Sequence, residues 1–298
     1  MKDLSMPPFN TTLLGVVRGV ADFYDMSVSD ATLYGGSGHA FLMNIHPELC
    51  PSGPYVWQRE GFMRLLRNLG LVMEASGFCT GGSNEAERAD AETWVRDRMR
   101  AGLPCSMLNL ENQLLTGVDA TGFHTARPWP GMDFPPAHLS FGSWAELGSD
   151  IHLMFFSFRR TRPADEETII RDGLRYAVEL YDHPERTEVE GYAVGARAWA
   201  NWIAGVRGDH GAEHGCWWNS TVWSECREKA ADWLDETARH SPRIPATGPA
   251  LAADYRRIAG ALREAGNTEM PAAETTALLE SAREIEARCI ERMREVST

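Results

Sequence analysis

The chain has 298 residues, of which 43% are hydrophobic and 24% are charged. This balance is typical of globular domains that bury a substantial core. The formal net charge of -13 argues against nucleic acid or an anionic membrane surface as a partner, because both require clustered Lys and Arg.

The N-terminal sequence MKDLSMPPFN contains an acid and two prolines where a signal peptide needs a basic start and an apolar run. No stretch reaches the roughly 18 apolar residues of a membrane span. The six cysteines form no CxxC pair, which favours free thiols in a reducing compartment. We therefore expect a cytoplasmic protein.

The first half alternates helical and extended patterns. These predict, in chain order, a helix capped by Asn10 and ending near Tyr24, a mostly loop segment at 34–54, a helix at 55–69, a strand at 71–75, a charged helix from Ser83 or Asn84 to just before Gly102, and short antiparallel strands at 104–110, 113–118, 123–129 and 151–158.

Beyond Arg162 every strong pattern is helical. Five helices are predicted, at 165–182, 191–205, 217–240, 248–265 and 271–296, with Trp199, Trp202, Trp223 and Trp233 in their core. The sequence thus predicts an α+β protein, with an antiparallel sheet in a first domain at 1–162 and an all-α second domain at 163–298.

Three segments carry a family resemblance: TTLLGVVRGVADFYDMSVSDATLYGGSGHAF, ENQLLTGVDATG and RPW. They resemble the C39-like cysteine peptidases and, more closely, the butirosin-biosynthesis-H N-terminal domains, which share a papain-like fold. The segment GCWWNSTVWSECREKAADWLDETA is similar to the helical region that follows those domains. The resemblance implies a papain-like first domain and a helical second one.

The resemblance also implies an active-site layout, with a thiol at the start of the first long helix, a His on a strand and an Asp before a Pro. Here Asn10, Thr11 and Thr12 stand at the thiol position, Glu111 at the His position and Arg127 at the Asp position. The usual Cys-His-Asp triad is therefore not expected. Some relatives transfer an acyl group from a carrier protein to an amine.

The residues at these positions allow more than one interpretation. Thr12 could act as a nucleophile served by Glu111, the helix start could contact a ligand, or its hydroxyls and amide could simply cap the helix. Glu111 could be a partly desolvated general base, or it could form an ion pair with Arg127. The two interpretations of Glu111 are compatible.

The loop after the first helix offers a second catalytic hypothesis. Cys50 could be a relocated thiol served by His46 or His39, or it could be a small buried residue. Two further residues of this region, Tyr34 and Ser37, are candidate ligand contacts. Trp218 and Asn219 are candidates for the wall of the cleft.

Metal ligands of the right types occur in the segment GDHGAEHGCWWN, where His210 and His214 are four residues apart. Gly211 and Gly215 argue against a regular helix there, so the spacing loses its geometric meaning. A loop leading into a helix is the better account. We expect neither a metal nor another cofactor.

The sequence thus predicts an enzyme of bacterial specialised metabolism that makes or breaks an acyl or amide-type bond on a small molecule. The alternative is a catalytically inactive protein of the same fold that binds a small metabolite. A small molecule is the expected partner, with an acyl-carrier protein as a candidate second partner and a homodimer as a candidate assembly.

Overall fold

The computed structural model describes residues 4–80, 85–129, 131–142, 152–242, 244 and 246–297. The chain divides into two compact units. The sheet unit comprises residues 1–28 and 70–162, and the helical unit comprises residues 29–69 and 163–298. The α+β class predicted from the sequence is confirmed, since helices accompany antiparallel sheets.

The helices of the described residues agree with most of the predicted ones. They are α1 (Thr12–Phe23), α2 (Asp30–Gly36), α3 (Glu60–Asn68), α4 (Glu85–Arg100), α5 (Glu166–Asp182), α6 (Gly195–Arg207), α7 (His214–His240), α8 (Gly248–Ala265) and α9 (Ala272–Val296). The predicted α4 start at Ser83 or Asn84 lies outside the described residues. None of these helices has both the length and the apolar character that a membrane crossing requires.

The strands are β1 (Asn44–Ile45), β2 (Leu71–Ala75), β3 (Cys79–Thr80), β4 (Cys105–Asn109), β5 (Glu111–Val118), β6 (Gly122–Ala126), β7 (His138–Ser140), β8 (His152–Arg160) and β9 (Ala193–Val194). The sheet unit holds an antiparallel sheet of order β2-β8-β4-β5-β6-β7, with β3 also paired to β8. In the helical unit, β1 pairs with β9.

Segment 29–69 lies in the helical unit, whereas the sequence prediction assigned it to the first domain. It contains α2, which packs on α5 and α7 within the helical unit. The fit is close, because a Cβ added to Gly35 would lie 2.0 Å from the ring of Trp233. The predicted loop at 34–54 therefore begins with helix, since Gly-Gly serves here for close packing and not for a turn.

Helix α3 begins at Glu60 and not at the predicted Tyr55. The side-chain amide of Asn44 donates to the carbonyls of Gly53 and Val56, at 2.9 and 2.7 Å. These bonds hold the chain before α3 in turns, so the helical period of the sequence is overridden by a contact from β1.

Glycines shift two other helix starts. Gly191 and Gly195 both take a positive φ, so α6 starts four residues later than predicted. Conversely, α7 starts three residues earlier and includes Gly215, where a Cβ would lie 1.9 Å from the Leu49 carbonyl oxygen. Gly215 is therefore required for a close backbone approach in the first turn of α7.

The core of the sheet unit lies between the sheet and α4. Val95 and Met99 of α4 pack with Leu115, Phe155 and other strand residues. Helix α1 packs on β5 through Leu114, whose side chain leaves no room for a Cβ on Gly19. Because neighbouring strand residues point to opposite faces, α1 and α4 cover opposite faces of the sheet.

The four tryptophans predicted for the helical core are fully buried, as are Tyr34 and Tyr255. This part of the sequence prediction is confirmed.

Candidate functional site

Helix α1 starts one residue later than predicted. The backbone carbonyl of Thr11, and not that of Asn10, accepts the first helical hydrogen bonds, from the N–H groups of Leu14 and Gly15 at 2.9 and 3.1 Å. Thr12 is consequently the first residue of the helix. Its side chain lies where the positive end of the helix dipole favours negative charge.

The hydroxyl of Thr12 joins α1 to β5. It donates to Oε2 of Glu111 at 2.7 Å. It also accepts from the backbone N–H of Asn112 at 3.2 Å and from the Asn112 side-chain amide at 3.3 Å. Thr12 and Glu111 are 1% and 4% exposed. Two positions that are 99 residues apart in the sequence therefore meet in one buried polar cluster.

The turn before Glu111 is unusual. Leu110 connects β4 to β5 with a φ of 60°, and its side chain is exposed. A positive φ is costly for a branched residue, and such conformations cluster at functional sites. The turn fixes Glu111 as the first residue of β5, directly opposite Asn109 of β4.

Buried polar atoms without a partner lie along β4 and β5. Within the part of the chain that the structure describes, Oδ1 of Asn109, Oγ of Ser106 and both side-chain polar atoms of Gln113 have no hydrogen-bond partner. All three residues are buried. Because buried polar groups are nearly always bonded, such orphan atoms call for water or a ligand.

Arg127 lies just after β6 and is half-buried. Glu111 accepts from the hydroxyl of Thr12, and both Glu111 and Arg127 make further interactions. The ion pair between Glu111 and Arg127 stays a prediction. Asn10, half-buried, accepts from the N–H of Thr12 through its backbone carbonyl at 3.0 Å.

The other predicted site residues belong to the helical unit. Among them, the thiol of Cys50 is half-buried and hydrogen-bonded to Tyr192 and Ser52. Burial raises the pKa of the Cys50 thiol, but the hydrogen bonds outweigh burial and leave this pKa below its ordinary value. The ring of His46 lies 5.2 Å from that of Tyr192, so Tyr192 contacts both the thiol and the imidazole.

His39, which was expected to serve Cys50, contacts a different thiol. Its Nδ1 lies 3.7 Å from Sγ of Cys226, and the rings of Trp57, Phe62 and Trp223 surround it. Burial, aided by nearby Arg residues, lowers the pKa of His39 to about 3. The imidazole is therefore neutral, and the Cys50–His39 pair is not formed.

The residues of the helical unit that were predicted to contact a ligand make hydrogen bonds within their own unit. The hydroxyl of Tyr34 donates to Glu225 at 2.6 Å, and that of Ser37 donates to the Tyr34 carbonyl at 3.2 Å. The indole of Trp218 donates to the Tyr55 hydroxyl at 3.0 Å. Asn219 is fully buried and donates to backbone carbonyls, including that of Cys50.

The sequence did not indicate Asn112 as a site residue. Strand alternation places it on the face opposite to Glu111, which argues against a shared site. In the structure Asn112 reaches Thr12 partly through its backbone N–H, a contact that leaves no trace in residue type.

No protein-family model matches the chain, and a search of curated proteins finds no significant match.

Proposed function

We propose that this protein is a papain-like enzyme of the bacterial cytoplasm that acts on a small molecule, with Thr12 and Glu111 at its reactive centre. The observation that carries the proposal is the 2.7 Å hydrogen bond from the Thr12 hydroxyl to the Glu111 carboxylate at the start of α1. In the butirosin-biosynthesis-H N-terminal domains that the sequence resembles, these positions hold the thiol and the imidazole. An alcohol and a carboxylate would replace them.

The surroundings of Thr12 suit an oxygen nucleophile. A carboxylate in hydrogen-bond contact is placed to accept its proton. The two donors from Asn112 point at the same oxygen, and hydrogen bonds to a charged form favour that form. The start of α1 adds its dipole. Orphan Oδ1 of Asn109, opposite Glu111, would accept a hydrogen bond from a bound amine or amide.

The proposed reaction is acyl transfer from a thioester, such as one on a carrier protein, to an amine. The Thr12 oxygen attacks the thioester carbonyl as its proton passes to Glu111. The carbon–sulfur bond then breaks and the departing sulfur takes that proton, which leaves an ester on Thr12. The amine attacks this ester and the carbon–oxygen bond breaks. Glu111 carries the proton lost by the amine back to the Thr12 oxygen.

One observation favours the second candidate function, that of a catalytically inactive protein that binds a small metabolite. The Thr12 hydroxyl has one donor and two acceptor positions, and Glu111 and Asn112 supply three partners for it. A hydroxyl with every position filled, 1% exposed, also serves as a structural link between α1 and β5.

Acylation of Thr12 distinguishes the two functions. The native chain is incubated with acyl thioesters of N-acetylcysteamine and an amine, and peptide mapping by mass spectrometry locates any ester. We expect an acyl group on Thr12, retained in Thr12→Ser and absent in Thr12→Val. Glu111→Gln should slow thioester consumption by about 10²–10⁴-fold, the usual contribution of a general base.

Thr237→Val is the matched control, because Thr237 is another buried threonine whose hydroxyl is hydrogen-bonded, to the Trp233 carbonyl at 2.8 Å. Thr12→Val and Thr237→Val should each lower the free energy of unfolding by about 1–3 kcal/mol, but only the former should abolish acylation. Thioester turnover that persists in both Thr12→Val and Glu111→Gln would rule out the proposed centre. Absence of turnover together with ligand-induced thermal stabilisation would support the binding function.

A further inference from the structure

Three residues with metal-ligand side chains meet on the surface of the sheet unit, away from α1. Asp119 lies in the turn between β5 and β6, His124 on β6 and His138 on β7. One ligand atom from each lies within 4.8 Å of the other two. Among the described residues, no other group of three such side chains, including those of segment 209–216, is this compact.

The strand register creates this cluster. His124 and His138 are directly paired across the antiparallel strands β6 and β7, where side chains of paired residues share a face. Gly122 makes room for His138, since a Cβ at this position would lie 2.9 Å from Nε2 of the ring and 2.1 Å from the Leu139 carbonyl oxygen. The three residues come from separate elements, so residue spacing does not reveal them.

The turn orients the carboxylate of Asp119. Its Oδ1 accepts from the backbone N–H and the hydroxyl of Thr121, both at 2.6 Å, and from the Gly122 N–H at 3.0 Å. The other oxygen, Oδ2, faces Nε2 of His124 at 2.7 Å.

The distance between the two imidazole rings matches that of two histidines bound to one metal ion. Their ring centres are 5.1 Å apart and the rings are inclined by 61°. Zn–N bonds of about 2.0–2.1 Å at tetrahedral angles put two imidazole centres about 5 Å apart. The side chains would therefore need only small rotations to direct both nitrogens and Oδ2 of Asp119 at a common point.

We propose that Asp119, His124 and His138 form a binding site for a divalent transition-metal ion of the Zn²⁺ class. Two imidazoles and one carboxylate suit first-row transition ions and are too poor in oxygen for Ca²⁺ or Mg²⁺. Hydrogen bonds to the far oxygen of a ligating carboxylate fix its orientation, as Thr121 does here. Three protein ligands leave a coordination position open to water or to a ligand.

A bound ion would also have a structural consequence. It would join the β5–β6 turn to β7, a strand of three residues at the edge of the sheet. Edge strands of this length have little pairing of their own. The ion should therefore stabilise this end of the sheet as well as hold a ligand.

Metal binding is tested on the full chain after chelator treatment, by calorimetric titration with Zn²⁺ and by the visible absorption of added Co²⁺. We expect one ion per chain. His124→Ala and His138→Ala should each weaken Zn²⁺ binding by at least about 10–100-fold, the range typical even of outer-shell partners. Thr121→Val should weaken it less, because the Thr121 N–H bond to Asp119 remains.

His210→Ala is the matched control, because His210 also lies beside a carboxylate, with Nδ1 3.0 Å from Oε1 of Glu213, but is not part of the cluster. It should leave the affinity and the Co²⁺ spectrum unchanged. Circular dichroism verifies that each variant is folded. The proposal is wrong if the native chain binds no Zn²⁺, if several weak sites bind it, or if His210→Ala weakens binding while His124→Ala does not.

Discussion

Each unit of this protein contains a buried carboxylate on a regular element, and the two differ in their partners. In the helical unit, Glu286 of α9 contacts the guanidinium of Arg227 at 2.6 Å and accepts from Tyr181 and Trp199 at 2.9 and 2.6 Å. In the sheet unit, the contacts of Glu111 include a hydroxyl, that of Thr12 at 2.7 Å.

The difference shows that burial of an acid is a poor guide to function unless its partners are known. Arg227 also donates to the carbonyls of Ala40 and Leu42, at 2.9 and 2.8 Å, so Glu286 belongs to a network whose donors are fixed by packing. The hydroxyl beside Glu111 can itself be deprotonated and form a bond to carbon. The hydroxyl beside Glu286 differs, because burial and the Glu286 carboxylate raise the pKa of Tyr181 well above its usual range.

The largest expected effect tests the structural side of this comparison. Glu286→Gln leaves the Arg227 cation buried without a counter-charge, so the free energy of unfolding should fall by about 3–5 kcal/mol, as measured in urea. The double variant Arg227→Met, Glu286→Leu removes both charges and should recover only part of that loss, because the buried groups that bonded to these two side chains lose those partners.

Glu291→Gln is the control for this prediction. Glu291 lies on the same helix and contacts Arg294 at a similar 2.6 Å, but its side chain is 71% exposed. An exposed pair contributes about 0–1 kcal/mol, so the control should have little effect. If Glu286→Gln lowers the free energy of unfolding no more than Glu291→Gln does, the network around Glu286 does not stabilise the helical unit.

The sequence predicted some features of the helical unit and of the sheet unit better than others. The helices of the second half and the central strands follow from hydrophobic periodicity, and the expectation that Thr12 meets Glu111 follows from a family resemblance. The register across β6 and β7, which brings His124 to His138, depends on long-range pairing. The same holds for α2, whose two glycines favour a turn locally but are needed for close packing, Gly35 on Trp233 and Gly36 on Ile169.

The second prediction concerns pH and the closed interior of the helical unit. An imidazole in an unfolded chain has a pKa of about 6.5, whereas burial lowers the pKa of His39 to about 3. Between these pH values the unfolded chain binds more protons than the folded one, so the free energy of unfolding decreases as the pH falls. His39 should contribute up to about 1.4 kcal/mol per pH unit to this decrease.

His39→Gln removes the titrating group, and its effect is measured as the difference in unfolding free energy from the native chain at pH 7, 6 and 5. That difference should change in favour of the variant as the pH falls, whatever its value at pH 7. His240→Gln, at an exposed position of α7, is the control and should show a constant difference. A constant difference for His39→Gln would mean that solvent reaches His39 and that the helical unit is less closed than the contacts of Glu286 suggest.

The smallest expected effect concerns Cys50, the half-buried thiol among five buried ones. Its pKa lies below the ordinary value because hydrogen bonds from Tyr192 and Ser52 outweigh the effect of burial. Iodoacetamide should therefore alkylate Cys50 first, as peptide mapping would show. Tyr192→Phe should raise this pKa and slow alkylation near neutral pH, by about tenfold for each pKa unit regained.

Tyr24→Phe, in the sheet unit, is the control and should not change the rate of Cys50 alkylation. An unchanged rate in Tyr192→Phe would show that Tyr192 does not activate the thiol. A reactive Cys50 alongside an unacylated Thr12 would instead transfer the catalytic proposal from the sheet unit to the helical unit.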